Sequence, residues 1–169
     1  MTGTARAISS PVVLGDGRVM VAGGVTANIV ALTANAVGDV SIYNNTTNTW
    51  QNGPNLALGR YGSPAVLIGG KVVLGGGVVG SVSSTTTPST TASVEQYNPI
   101  SNTWAGLVPM LEPRAAQAVG LTPMESALST WGRERSRDHL PADGRAVRSI
   151  GVAQIHPDMG PGHGPGPVC

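Results

Sequence analysis

Asp39-Val40-Ser41-Ile42-Tyr43-Asn44, followed by Asn48-Thr49-Trp50, returns later in the chain as Ser93-Val94-Glu95-Gln96-Tyr97-Asn98, followed by Asn102-Thr103-Trp104. The valine, the tyrosine, the asparagine after it and the whole Asn-Thr-Trp triplet are identical, and tyrosine and tryptophan shift by the same 54 positions (97 − 43 and 104 − 50). A glycine-rich stretch repeats upstream of each copy. Gly17-Arg18-Val19-Met20-Val21-Ala22-Gly23-Gly24 returns as Gly70-Lys71-Val72-Val73-Leu74-Gly75-Gly76-Gly77, and its offset of 53 is one shorter because the turn Gly15-Asp16-Gly17 contracts to Gly69-Gly70. Arg6, Arg60 and Arg114 supply a third mark, again 54 apart.

Self-similarity at a period of about 50 residues signals stacked supersecondary units, most often propeller blades. Each unit reads as four short strands. In the second they are Ser63–Ile68, Lys71–Leu74, Ser93–Tyr97 and Thr103–Gly106. Gly69-Gly70 suits a tight hairpin, since glycine tolerates positive φ. The apolar run Val72-Val73-Leu74 is what a strand covered on both faces looks like, and Asn98-Pro99-Ile100-Ser101-Asn102 is turn chemistry. The doublets Gly23-Gly24 and Gly76-Gly77 fall where backbones crowd near the axis of a radial array. Tyr43, Trp50, Tyr97 and Trp104 are the anchors sized to fill the gap between neighbouring sheets.

A glycine doublet, then a tyrosine and a tryptophan with six residues between them, then the next unit: from Arg6 to Leu121 this pattern resembles the kelch repeat. Gly17–Gly24 is especially similar to units of microbial kelch and galactose-oxidase-like propellers. The resemblance implies an all-β fold of kelch-type four-stranded antiparallel blades, two full and one partial, belonging to an incomplete β-propeller. It also implies a binding or scaffolding module that recognises a protein or glycan partner through loops on one face of the disc. The alternative it carries is a fragment of a propeller enzyme, a galactose-oxidase-like oxidase whose catalytic residues lie outside this chain. Such an oxidase needs a crosslinked tyrosine–cysteine pair and histidine ligands, and Arg6–Leu121 contains neither histidine nor cysteine.

Composition agrees with β structure and narrows the partners. The chain of 169 residues has 40% hydrophobic residues, 24 glycines and 13 prolines, which suits one domain with an aliphatic core and many turns. A formal net charge of +1 gives no electrostatic case for nucleic acid or for an anionic membrane surface. No apolar run is long enough for a transmembrane helix, and Met1–Ser10 does not read as a secretory signal. The single cysteine, Cys169, fits a reducing, cytoplasmic setting.

The repeat region is assigned to 1–121 and a non-repeat tail to 122–169. After Leu121 the third copy stops matching where a turn, an apolar strand and a glycine doublet are due, and the change of composition reads as a non-homologous end rather than a natural cap. Within the tail, Thr122 and Glu125 have capping-box spacing around Pro123, and Met124, Ala127, Leu128 and Trp131 share one helical face, which predicts a short helix over 123–137. The Gly/Pro-rich end from Pro157 predicts no packed structure. Open blade edges in so short an array predict self-association.

Chemistry-bearing residues are sparse, and no catalytic site, cofactor or metal is assigned. Gly75–Gly80 fits the G-x-G-x-x-G pattern, but a dinucleotide site needs a helix next and here Ser81–Thr91 follows, Ser/Thr-rich with a proline. His139, His156 and His163, with Asp138 and Asp158, lack tight ligand spacing. The cluster Arg133–Arg148 is interleaved with Glu134, Asp138 and Asp143 and reads as a solvated face. The overlapping sequons in Asn44-Asn45-Thr46-Thr47 read as turn chemistry. One per unit, Arg6, Arg60 and Arg114 read as structural ties. The candidate partner-binding loop is Ser81, Ser83, Ser84, Thr85, Thr86 and Thr87, with Ala27–Val37 as its equivalent in the first unit.

Overall fold

The computed structural model describes residues 5–121, 127–130 and 153–155. Among them every regular element is a strand. The first unit contains β1 (Ser10–Val13), β2 (Val19–Ala22), β3 (Val25–Asn28), β4 (Thr33–Ala36), β5 (Val40–Asn44) and β6 (Thr49–Asn52). The second contains β7 (Arg60–Tyr61), β8 (Ala65–Ile68), β9 (Lys71–Gly75), β10 (Val78–Val79), β11 (Ser81–Val82), β12 (Ser89–Thr90), β13 (Val94–Asn98) and β14 (Thr103–Leu107). Beyond them lie β15 (Ala118–Leu121), β16 (Ala127–Thr130) and β17 (Ala153–Ile155).

Two four-stranded antiparallel sheets, β1-β2-β5-β6 and β8-β9-β13-β14, are copies of each other. Both pair tyrosine with tryptophan across a hairpin, Tyr43 with Trp50 and Tyr97 with Trp104. The ring centroids lie 5.2 and 5.3 Å apart, tilted by 46° and 45°. Each phenol donates to an asparagine, Tyr43 Oη to Asn48 Oδ1 at 2.7 Å and Tyr97 Oη to Asn102 Oδ1 at 2.8 Å. Those asparagines sit at φ 54° and 55°, a left-handed turn position that asparagine tolerates. The identity of the Asn-Thr-Trp triplet therefore has a cause: the asparagine both makes the turn and holds the tyrosine.

Pairing fixes which side chains share a face. One face of the first sheet carries Met20, Ala22, Val40 and Ile42. It packs on Val72, Leu74 and Tyr97 of the second, with Leu14 and Leu56 closing the cluster and Trp104 half-buried beside it. Trp104 Nε1 also donates to the Pro54 carbonyl at 2.9 Å, tying the outer edge of the second sheet to the strand connection of the first. The same core recurs one unit on, where Ile68, Val73, Val94 and Met110 occupy the places of Leu14, Met20, Val40 and Leu56. The two complete sheets thus stack face to face, the first presenting an aliphatic wedge to the aromatic pair of the second. The opposite face of the first sheet, with Val13, Val19, Val21, Tyr43 and Trp50, has no such cover among the described residues: Val13 is 59% exposed, whereas Val72 and Leu74 on the equivalent covered face are fully buried.

The glycine doublets mark where successive units cross. Gly24 N–H donates to the Arg60 carbonyl and Gly77 N–H to the Arg114 carbonyl, both at 2.8 Å. A Cβ on Gly23 would collide with the Arg60 carbonyl and one on Gly76 with that of Arg114, and all four doublet glycines have positive φ. The crowding comes from the arginine of the following unit.

A third sheet, β15-β16-β17, continues past Leu121. Ala118 follows Ser10 by 108 residues and Ala127 follows Val19 by the same 108, twice the repeat, and the β15–β16 register copies that of β1–β2. The helix expected over 123–137 is thereby corrected: Ala127–Thr130 is a strand, and the rest of that span lies outside the described residues. Local helical spacing lost to the open edge of β15, whose N–H and C=O groups a neighbouring strand satisfies. The histidines, the Arg133–Arg148 cluster and the Gly/Pro-rich end also lie outside the described residues.

Tyr97 is 1% exposed while Tyr43 is half-buried. Tyr97→Ala is expected to cost about 3–5 kcal/mol in urea denaturation and Tyr43→Ala no more than about half of that; equal costs would contradict the stacking. Burial also pushes the Tyr97 phenol above its ordinary value of 10.0. The unfolded chain then releases its proton first, so stability is present below pH 10 and falls as pH rises through it. Tyr97→Phe is expected to flatten that alkaline decline.

Candidate functional site

Between the second and third strands of each blade the chain makes an excursion, and the two excursions meet. In the first unit β3 and β4 form a hairpin whose tip is Ile29-Val30-Ala31-Leu32. Asn28 Oδ1 accepts the N–H groups of Val30 and Ala31, both at 3.0 Å, and Leu32 takes a φ of 51° to turn the chain back. The tip is therefore a built turn, and it presents Ile29, Val30 and Leu32 at 85%, 91% and 80% exposure. No charged residue occurs from Val25 to Gly38.

In the second unit β10 runs between β7 and β12, and β11 pairs with β4 of the first. Ser81 lies opposite Asn35 and Val82 opposite Ala34. The segment assigned to loop, Ser81–Thr91, thus contains two short strands: Ser81–Val82, which takes the pairing edge of the neighbouring hairpin, and Ser89–Thr90, which pairs with β10 of its own unit. Beyond β11 the chain folds on its own hydroxyls. Ser83 Oγ accepts from the N–H groups of Thr85 and Thr86, both at 3.2 Å, and lies 2.8 Å from Thr86 Oγ1. Ser81, Ser84, Thr85, Thr86 and Thr87 are exposed and Ser83 is half-buried. Of the six expected loop residues, Ser81 pairs with the hairpin of the first unit, and Ser83, Ser84, Thr85, Thr86 and Thr87 lie on the turn that follows β11. The tip falls within the equivalent loop Ala27–Val37 expected in the first unit, and the structure adds that its run Ile29-Val30-Ala31-Leu32, set between two asparagines, stands in solvent.

Below these loops the blades are locked by a buried ion pair. Arg60 Nη2 lies 2.7 Å from Glu95 Oε1, the two side chains being 1% and 6% exposed. The guanidinium also donates to the carbonyls of Leu58, Gly76 and Ser93 and to Ser93 Oγ. Glu95 Oε2 in turn accepts from Ala57 N at 2.8 Å. Burial pulls the Arg60 guanidinium below the ordinary arginine value while the Glu95 charge acts in the opposite sense. Arginine is thus the tie expected between loop and strand, here with its donors satisfied and far from the exposed loops. The aromatic and glycine residues singled out by the repeat, Gly23, Gly24, Tyr43, Trp50, Gly76, Gly77, Tyr97 and Trp104, all serve packing. Gly75–Gly80 contains β10 and is followed by β11 and not by a helix, so it lacks the context of a dinucleotide site.

Four-stranded antiparallel sheets stacked through periodic aromatics, with loops gathered between their second and third strands, define a partial β-propeller. Residues 59–111 match the family model described as Kelch motif. The solved structure of YjhT, a kelch-type β-propeller, is similar over 77% of this chain and 45% of that one, with a TM-score of 0.62 and 16% sequence identity. At that identity the likeness speaks for the fold. The chain spans less than half the length of that propeller. No curated protein matches the sequence. Residues 59–111, which hold the second complete sheet, thus match the kelch motif, and the chain has the fold of a partial kelch-type β-propeller.

Glu95→Gln keeps the shape and removes the charge, leaving Arg60 buried without its counter-ion. A loss of about 3–5 kcal/mol in chemical denaturation is expected. Replacing both partners, Arg60→Met with Glu95→Leu, is expected to cost less than Glu95→Gln alone, since no uncompensated charge remains.

Proposed function

We propose that this chain is a binding module that engages a protein partner through the β3–β4 tip, with the Ser83–Thr87 turn as its polar rim. The observation that carries this reading is the exposure of Ile29, Val30 and Leu32 on a turn held by Asn28. Large aliphatic side chains side by side in solvent are unfavourable in isolation, and such a patch marks an interaction surface. Each contributes about 1.5–3 kcal/mol when buried. They offer no hydrogen-bonding group, which suits an apolar pocket on a protein better than a hydroxyl-covered sugar. The adjacent hydroxyls supply the wettable rim that surrounds such anchors.

The test is capture of directly crosslinked, purified partners by the intact chain, by Ile29→Asp/Val30→Asp and by a variant lacking Ser83–Thr87. The aspartates are expected to weaken capture at least tenfold, about 1.4 kcal/mol, with an unchanged urea midpoint because both sites are exposed. Loss of the turn is expected to weaken it less. Equal capture by all three would sink the reading.

A further inference from the structure

One face of the first sheet stands open. Pro11, Val13, Val19, Val21, Tyr43 and Trp50 share it by register, none of them is charged, and Val13 is 59% exposed. The molecule itself displays what fits such a face. The equivalent positions of the second sheet include Val72, Leu74 and Tyr97, which the wedge of the preceding blade buries to 1% exposure or less. Stacking has one direction. Val119 of β15 packs on the wedge of the second sheet as Ala65 of β8 packs on the wedge of the first. The open face therefore requires a wedge from a sheet that precedes it. At the other end, β15-β16-β17 has no successor among the described residues. The joint inside the chain has one more part. Glu95 accepts the N–H of Ala57, in the connection leaving the preceding blade, at 2.8 Å. The residue 54 positions before Glu95 is Ser41, whose Oγ accepts from Arg6 Nη2 at 3.0 Å. The open face thus lacks the carboxylate that grips a covalently joined neighbour.

We propose that a second copy of this chain covers this face, its β15-β16-β17 sheet stacking head to tail on the first sheet of its partner. Each copy has an open face at one end and a sheet without successor at the other, so two such contacts close a ring. Three blade sheets per copy make six, within the roughly four to eight blades at which propellers close. One copy matches 45% of YjhT, and two copies match twice that share, 90%. Removal of the apolar face from water drives the contact. This interface is separate from the β3–β4 tip and does not rest on the partner reading given above.

Sedimentation equilibrium of the intact chain over a concentration series is expected to approach twice its 17.1 kDa and to stop there. Acrylamide quenching of tryptophan is expected to fall over the same range, and to change less in Trp50→Phe, which has no reporter on the open face. Val13→Glu places an unpaired carboxylate in an apolar contact and is expected to weaken association at least about tenfold. Val13→Lys is expected to do the same, and Val13→Leu to keep the assembly. At the lowest concentration all three are expected to share the urea midpoint of the intact chain, because Val13 is exposed in a single copy. That midpoint is expected to rise with protein concentration for the intact chain and to rise less for Val13→Glu. Ile29→Asp/Val30→Asp is expected to assemble like the intact chain, which separates this contact from the tip. The proposal is overturned if the mass stays at 17.1 kDa throughout or grows without limit. Assembly undiminished in Val13→Glu and Val13→Lys would overturn it too, placing the contact at the blade edges, as would assembly lost in the tip variant.

Discussion

Everything in this molecule depends on one sheet face fitting another. Met20, Ala22, Val40 and Ile42 form a wedge that only a neighbouring blade can cover, and Val72, Leu74 and Tyr97 form the surface that covers it. Neither face is stable in water by itself, and a single four-stranded sheet buries too little to fold alone. The aromatic pair makes the fit directional. Tyr97 lies under its own Trp104, which reaches back to the Pro54 carbonyl, so the outer edge of one blade is fastened to the connection leaving the previous one.

The inner edge is fastened by different means. There the sheets come closest along β1 and β8, side chains no longer fit, and backbone contacts take over. Gly24 and Gly77 donate to carbonyls of the next unit's arginine, while the arginine side chain of the second unit turns back into its own blade to meet Glu95. Apolar packing outside and polar clamping inside act on the same pair of sheets. Beyond the β11–β4 pairing the excursions between second and third strands lie outside both fastenings, and an aliphatic tip in one unit and a hydroxyl-rich turn in the other coexist on matching scaffolds.

Much of this was legible in the sequence because the repeat states each contact twice. The Tyr–Trp pairs, the doublets and the strand bounds of the second unit emerged within a residue or two of where spacing put them. What failed did so for identifiable reasons. The helix expected over 123–137 rested on local periodicity, and β16 shows a vacant sheet edge overriding it. Ser81–Thr91 looked like plain loop because its strand partner, β4, belongs to another unit and no short-range pattern reports that pairing. The tip Ile29–Leu32 lies within the loop Ala27–Val37 expected to carry recognition, but an apolar run alone does not distinguish an exposed tip from core. In contrast, the difference between Arg6 and Arg60 was written plainly in the serine that replaces Glu95 one unit earlier, but its meaning required seeing what Glu95 does.

The left-handed turns carry one more lesson. Ile8, Gly62 and Ala116 stand 54 apart and all have positive φ, although only one of them is glycine. Strain of this kind is tolerated where surrounding contacts overdetermine the backbone, so the path of the main chain here is set by what flanks it and not by residue choice. A molecule assembled this way can grow or shrink by whole cassettes of one period, because cutting at equivalent points leaves the backbone donors of the glycine doublets facing the arginine carbonyl of the unit that follows.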